Sequence, residues 1–415
     1  MRSNKRVYLF LALFLLLTAC GSPHKDTPSG SGVSITVTGD NALPLTVNGS
    51  PCSSTAYLNE PCVSVTVCDP GNPSSCQTIN DILLDTGDTG LRVFKQVFNP
   101  ALLGSLTPIT ATNGDPIADC VQYADGSANW GPVETASVVL ANEPAVTVPI
   151  QVIDSTFANG QKVCQNPNTT PAVSMFNGSL GMAFWLQDCG QDCADGTNKI
   201  QYFSCNGSNC SSEQVSLTDQ VQNPVALLPQ DNNGVLLVLP SVPSGGALYA
   251  SGALVLGIDT QSNNSSSGAT VYDADQFGEF TTSLTINNKV YTYSSFIDSG
   301  SNGLFFPPSG FPLPNCSSPN YSGWYCPSST QNLLAAATGA SGLPNPPNKI
   351  AFQIGNFASL LNSPYWVFAN IGGDTGSNSG PFDWGLPFFF GRKVYIGFEG
   401  QQSPSLGATG PYWAF

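Results

Sequence analysis

Ile82-Leu83-Leu84-Asp85-Thr86-Gly87 and Ser295-Phe296-Ile297-Asp298-Ser299-Gly300 are two copies of one pattern, an apolar run that ends in an Asp-Thr/Ser-Gly turn. The agreement continues beyond the turn, where Thr89-Gly90-Leu91-Arg92-Val93-Phe94 answers Asn302-Gly303-Leu304-Phe305-Phe306. The copies stand 213 positions apart in a chain of 415 residues, which predicts two similar lobes. Each copy puts an aspartate at the end of a buried strand, a costly place for an ionisable group unless it is used or well hydrogen-bonded. Brought together, the two carboxyls form an acid–base dyad.

Outward from these motifs the chain reads as strands and turns. Val63-Ser64-Val65-Thr66-Val67 and Thr135 to Leu140 alternate apolar and polar residues with the period of a half-buried strand. Gln122-Tyr123-Ala124-Asp125-Gly126-Ser127 has the turn chemistry of a hairpin tip, and Asn287-Asn288 joins a second alternating pair. Gln331 to Thr338, rich in leucine and alanine, is expected to be a short helix, and Tyr412 to Phe415 a closing strand. Asp374-Thr375-Gly376 carries the motif's letters, yet Ile371-Gly372-Gly373 before it is no buried strand, so Asp374 is read as a turn residue. The fold class is all-β, with lobes at 33–230 and 231–415.

Composition narrows the chemistry. The only histidine, His24, lies in a Ser/Pro/Gly-rich stretch, which removes Ser-His-Asp and Cys-His catalysis and histidine-built zinc sites. Without paired Cys-x-x-Cys motifs, no metal and no cofactor is expected. Asp188, Asp192 and Asp195 are spaced poorly for a calcium loop and read as a solvated segment. The formal net charge is −15, and the chain after its leader holds nine basic residues against 27 acidic. Nucleic acid is therefore no partner.

The leader is a second signal. Arg2, Lys5 and Arg6 precede the apolar run Val7 to Leu17, too short to span a bilayer and suited to a signal peptide. It ends in Leu17-Thr18-Ala19-Cys20-Gly21, which resembles a bacterial lipobox and implies lipidation at Cys20. Residues 1–20 are thus read as the lipoprotein signal, and 21–32 as a flexible tether. Gly21 is not the aspartate associated with inner-membrane retention, so an outer-membrane anchor is expected where the envelope has two membranes. Twelve cysteines remain, an even number that predicts disulfides in an oxidising compartment. Cys68/Cys76, Cys205/Cys210 and Cys316/Cys326 are close enough in sequence to close small loops, although spacing does not fix the connectivity.

In order from about residue 33 to the end, these features resemble the pepsin-like, two-lobed aspartic proteases. The resemblance implies that Asp85 and Asp298 are the catalytic pair, with Thr86-Gly87 and Ser299-Gly300 completing and bracing the two loops. It implies a substrate-covering flap at Tyr123, Asp125 and Gly126, and backing segments at Gly178-Ser179-Leu180-Gly181 and, more loosely, Trp384-Gly385-Leu386-Pro387-Phe388. The same features resemble a family of uncharacterised bacterial lipoproteins, DUF3443. The implied activity is endopeptidase cleavage of an extended peptide by a monomer, with an idle peptide-binding or envelope-binding module as the alternative.

Two departures bear on that activity. The resembled family places Ser or Thr three positions after each aspartate; Ser301 complies, whereas the first copy has Asp88. An ionised Asp88 accepts where a donor is wanted and raises the pair's apparent pKa values. A protonated Asp88 still donates, and an Asp88 turned toward Arg92 leaves the pair alone. The short tether also leaves no room for a basic propiece between Cys20 and the first strand.

Overall fold

The computed structural model describes residues 31–52, 57–123, 125–286, 288–307, 313–376 and 380–415. The lipobox, Cys20, His24 and most of the tether lie outside these residues. Among the described residues, strands dominate, the α-helices are single turns of four or five residues, and no helix is long and apolar enough to cross a membrane.

Among the described residues, strands form two sheet systems, one of seventeen strands and one of seven. In the first, Pro61–Asp69 pairs antiparallel with the long strand Asn72–Asp85, and a disulfide joins Cys68 to Cys76 across the hairpin. The alternation of Val63, Val65 and Val67 with Ser64 and Thr66 explains the pairing. The valines are fully buried and the hydroxyl residues half-exposed, as period-two geometry requires.

The two halves repeat one local topology around their motifs. Gly178–Met182 runs parallel to the end of Asn72–Asp85 and antiparallel to Thr89–Phe94, which lies parallel to Val146–Ile153. In the seven-stranded sheet, Phe382–Trp384 runs parallel to the end of Lys289–Ile297 and antiparallel to Leu304–Phe305, which lies parallel to Gly372–Gly373. Each motif strand is thus wedged against a short backing strand, so the aspartate at its tip is held from two sides.

Sheet membership does not follow sequence position. Gly234–Val238, Ala250–Leu256, Lys393–Gly397 and Tyr412–Ala414 join Ala42–Val47 in the first system, although all four follow residue 230. A single apolar cluster runs from Val63 and Leu84 through Leu254 to Trp384 and Phe388, so the motif strands share one core.

One expected element is corrected. Gln331–Thr338 is a strand between Asn348–Ile354 and Phe280–Ile286. Its alanines favour helix locally, but ladders on both sides satisfy its backbone, and Ala335 and Ala337 point into the core on alternate positions. The strand at Tyr412–Ala414 and the hairpin of Phe280–Ile286 with Lys289–Ile297 form where the pattern placed them. Six disulfides use all twelve cysteines beyond Cys20: the three close pairs, with Cys52–Cys62, Cys120–Cys164 and Cys189–Cys193. That content fits an oxidising, exported setting.

Candidate active site

Asp85 and Asp298 end their strands side by side, both buried, and their carboxyls are hydrogen-bonded to each other. The two turns lock reciprocally. Thr86 N–H donates to Ser299 Oγ at 3.0 Å and Ser299 N–H to Thr86 Oγ1 at 2.9 Å. The hydroxyls donate onward, Thr86 Oγ1 to Ile297 O at 3.0 Å and Ser299 Oγ to Leu84 O at 2.7 Å. A residue with only a hydrogen or an alkyl group at position 86 or 299 cannot make these bonds. Gly300 serves another purpose: a Cβ there would lie 2.7 Å from Asp85 Cγ, so a side chain would push the carboxyls apart.

The two carboxyls are not equivalent. Asp298 accepts from Gly300 N–H at 2.8 Å and from Ser301 Oγ at 2.8 Å. Asp85 accepts from Gly87 N–H at 2.8 Å and has no matching hydroxyl. Burial pushes both above the usual carboxylate range; the charges of Asp298 and Asp88 push Asp85 well up, whereas the Ser301 hydroxyl and the Asp85 carboxyl moderate Asp298. The surroundings thus favour the charge on Asp298 over Asp85, and the titration belongs to the pair.

Asp88 turns toward Arg92. The guanidinium Nε donates to Asp88 Oδ2 at 3.1 Å, and Thr89 N–H donates to Asp88 Oδ1 at 2.7 Å. Of the three possibilities open in the sequence, the structure selects the outward one in geometry, although the charge of Asp88 still reaches Asp85. Arg92 is wholly buried and also pairs with Asp119 and, at 2.8 Å, with Asp188. Burial opposes its charge, and the three carboxylates outweigh that and raise its pKa well above the usual value. Burial and the neighbouring Asp188 hold Asp119 well above its usual range.

The Tyr123 turn hangs over this network. Ile117–Gln122 and Ala128–Val139 form the hairpin, closed by Tyr123 N–H to Ser127 O at 2.9 Å and Gly126 N–H to Tyr123 O at 3.0 Å. Asp125 caps the turn by accepting from Ser127 N–H at 2.8 Å, and Gly126 has φ +85°. The Tyr123 hydroxyl donates to Asp88 Oδ2 at 3.1 Å and accepts from Asn129 Nδ2 at 2.7 Å. Beside the first loop and this turn lies a cavity of about 210 Å³, walled in part by Phe184, Trp185, Phe277 and Trp413.

Several contributors were not read from the sequence. Tyr57 is buried beneath the pair and donates to Gly300 O at 3.2 Å, while Asn59 donates to Asn302 O at 2.8 Å and Phe368 O at 2.9 Å. Nothing in the Cys-rich opening region marks these residues. Asp383 is fully buried opposite Phe296, two residues before Asp298, and a carboxylate at the head of the apolar run Trp384 to Phe390 was the available signal. Asp188 belongs to the Arg92 network, accepting also from Tyr202 Oη at 2.6 Å. Among the described residues, the one cluster of metal-ligand type is Cys52, Glu60 and Cys62, whose sulfurs are joined as a disulfide. Asp374 accepts from Gly376 N–H at 2.8 Å as a turn residue does.

A family model described as "Protein of unknown function (DUF3443)" matches residues 37–415. The chain belongs to the DUF3443 family. No curated protein matches it. In this DUF3443 chain the match covers both motifs, the Tyr123 turn and both backing strands, so the site lies inside the family's defining region.

Proposed function

We propose that this DUF3443 protein is an exported aspartic endopeptidase with the bilobal pepsin-like architecture, anchored to the cell envelope through lipidated Cys20. One observation carries the reading: two cross-braced Asp-Thr/Ser-Gly loops hold Asp85 and Asp298 in hydrogen-bonding contact. Two carboxyls so close cannot both ionise, and a single shared proton gives one base and one acid.

Asp298, solvated by Ser301 and Gly300, takes a proton from a water molecule as its oxygen bonds to the peptide carbonyl carbon. Asp85 gives its proton to the carbonyl oxygen, forming a neutral gem-diol. On collapse, the C–N bond breaks, Asp298 passes its proton to the leaving nitrogen, and a diol hydroxyl returns one to Asp85. An extended peptide would lie beneath the Tyr123 hairpin, and the aromatic-walled cavity suits a bulky apolar side chain.

The test uses the full-length protein in detergent with an unfolded substrate across about pH 3 to 7. Cleavage is expected, falling by about 10²–10⁴ in both Asp85→Asn and Asp298→Asn. A folded wild type that never cleaves, or cleavage that survives both substitutions, refutes the reading. The single donor on Asp85 and the charge of Asp88 favour an idle peptide-binding module as the alternative, and that refuting result would favour it.

A further inference from the structure

Asp383 has no role in the chemistry above, and its position is unusual. It is 0% exposed, and neither carboxyl oxygen has a hydrogen-bond partner of ordinary geometry. An unpaired ionised carboxylate in such a place is strongly unfavourable. In register Asp383 pairs with Phe296 and Phe305, and its counterpart in the first half, Ser179, pairs with Leu83 and Arg92. Leu83 and Phe296 each stand two residues before a motif aspartate, so Ser179 and Asp383 share a face with Asp85 and Asp298 respectively.

The halves have exchanged an acid and a hydroxyl. The first has Asp88 after its motif and Ser179 behind it; the second has Ser301 after its motif and Asp383 behind it. Asp88 is paired with Arg92. Phe305 occupies the place of Arg92 in the second half, and among the described residues no cation pairs with Asp383. An acid without a counter-ion, closed to water, keeps its proton.

We propose, resting on the protease reading for its catalytic consequence, that Asp383 is a positioning residue: its carboxyl O–H is offered to Ser301 Oγ, which turns the Ser301 proton onto Asp298. Ser301 already donates to Asp298 Oδ2 at 2.8 Å, and it is close enough to Asp383 to act on it. Burial, then the charge of Asp298, holds Asp383 well above the usual carboxylate range; the Ser301 hydroxyl opposes this without reversing it, and Asp85 adds to the rise. These two acids are the titratable groups that act on it. The relay keeps Asp298 the better-solvated carboxylate and so sustains the asymmetry that makes it the base.

The experiment follows the carboxyl ¹³C resonances of labelled aspartates through a pH titration, assigned with single Asp→Asn variants, alongside kcat and KM for peptide cleavage. Asp383→Leu removes the donor and should raise the titration of the pair by about one pH unit and lower kcat about tenfold with KM unchanged. Asp383→Asn keeps a donor N–H and should stay close to wild type. Ser301→Ala should reproduce the shift, with Asp383→Ala, which also removes the donor, adding nothing in the double variant; this arm decides if Asp383→Leu fails to fold. The proposal is overturned if Asp383 itself titrates as an ordinary carboxylate, if Leu and Asn behave alike, or if Asp383→Asn is as damaging as Ser301→Ala. A wild type that never cleaves would sink the protease reading, while the titration would still decide whether Asp383 stands neutral and steers Ser301.

Discussion

Replacing Glu60 by glutamine isolates one buried proton and its effect on stability. Glu60 is 0% exposed and follows Tyr57 and Asn59, which brace the loop carrying Asp298. Burial, reinforced by the nearby Asp81, pushes its pKa from 4.5 to about 9. The folded protein therefore binds a proton that the unfolded chain releases above pH 4.5, and the sign follows from linkage. The stabilisation is fully present below the unfolded value and is lost as pH rises toward 9. Each pH unit in that window costs about 1.4 kcal/mol, so by pH 7 this residue has removed about 3 kcal/mol relative to acid. Glu60→Gln has almost the same shape and no charge. Urea unfolding with disulfides intact, measured at several pH values, should show the wild type losing stability faster than the variant. The difference should be about 1.4 kcal/mol per unit between pH 5 and 8. Parallel curves would refute the reasoning, because they would mean that Glu60 ionises in the fold as freely as in the unfolded chain.

Two further outcomes follow from the same geometry. Asp88→Ser removes a negative charge beside Asp85 and restores a hydroxyl, so the pair's titration should move down by about one pH unit, read as an acidward shift of the pH–rate profile. An unmoved profile would show that the tie to Arg92 already screens Asp88 from the pair. Arg92→Met leaves Asp119 and Asp188 buried without their cation and should cost about 3–5 kcal/mol in denaturant unfolding; a loss under about 1 kcal/mol would show that the cation does little to hold this network.

How much was legible beforehand varies with the range of the interaction. The Tyr123 turn was readable because Asp125-Gly126-Ser127 satisfies its backbone within four residues. The valine alternation before the first motif was readable because each side chain's face follows from its neighbours two away. Gln331–Thr338 was misread because alanine propensity is weak beside two flanking ladders. The mixing of strands from the beginning, middle and end of the chain in one sheet system had no local signature.

By itself the sequence determined the all-β character, the two motif loops, the cysteine parity and the residues able to supply acid–base chemistry. Those properties reside in period, turn chemistry and side-chain type, which are local. Tertiary structure alone decided that Asp88 faces Arg92, that Tyr57 and Asn59 reach across to a loop 243 residues away, and that Asp383 is buried between Phe296 and Phe305 in the sheet. Protonation and pairing depend on which groups share a water-free space, and only the folded chain defines that space.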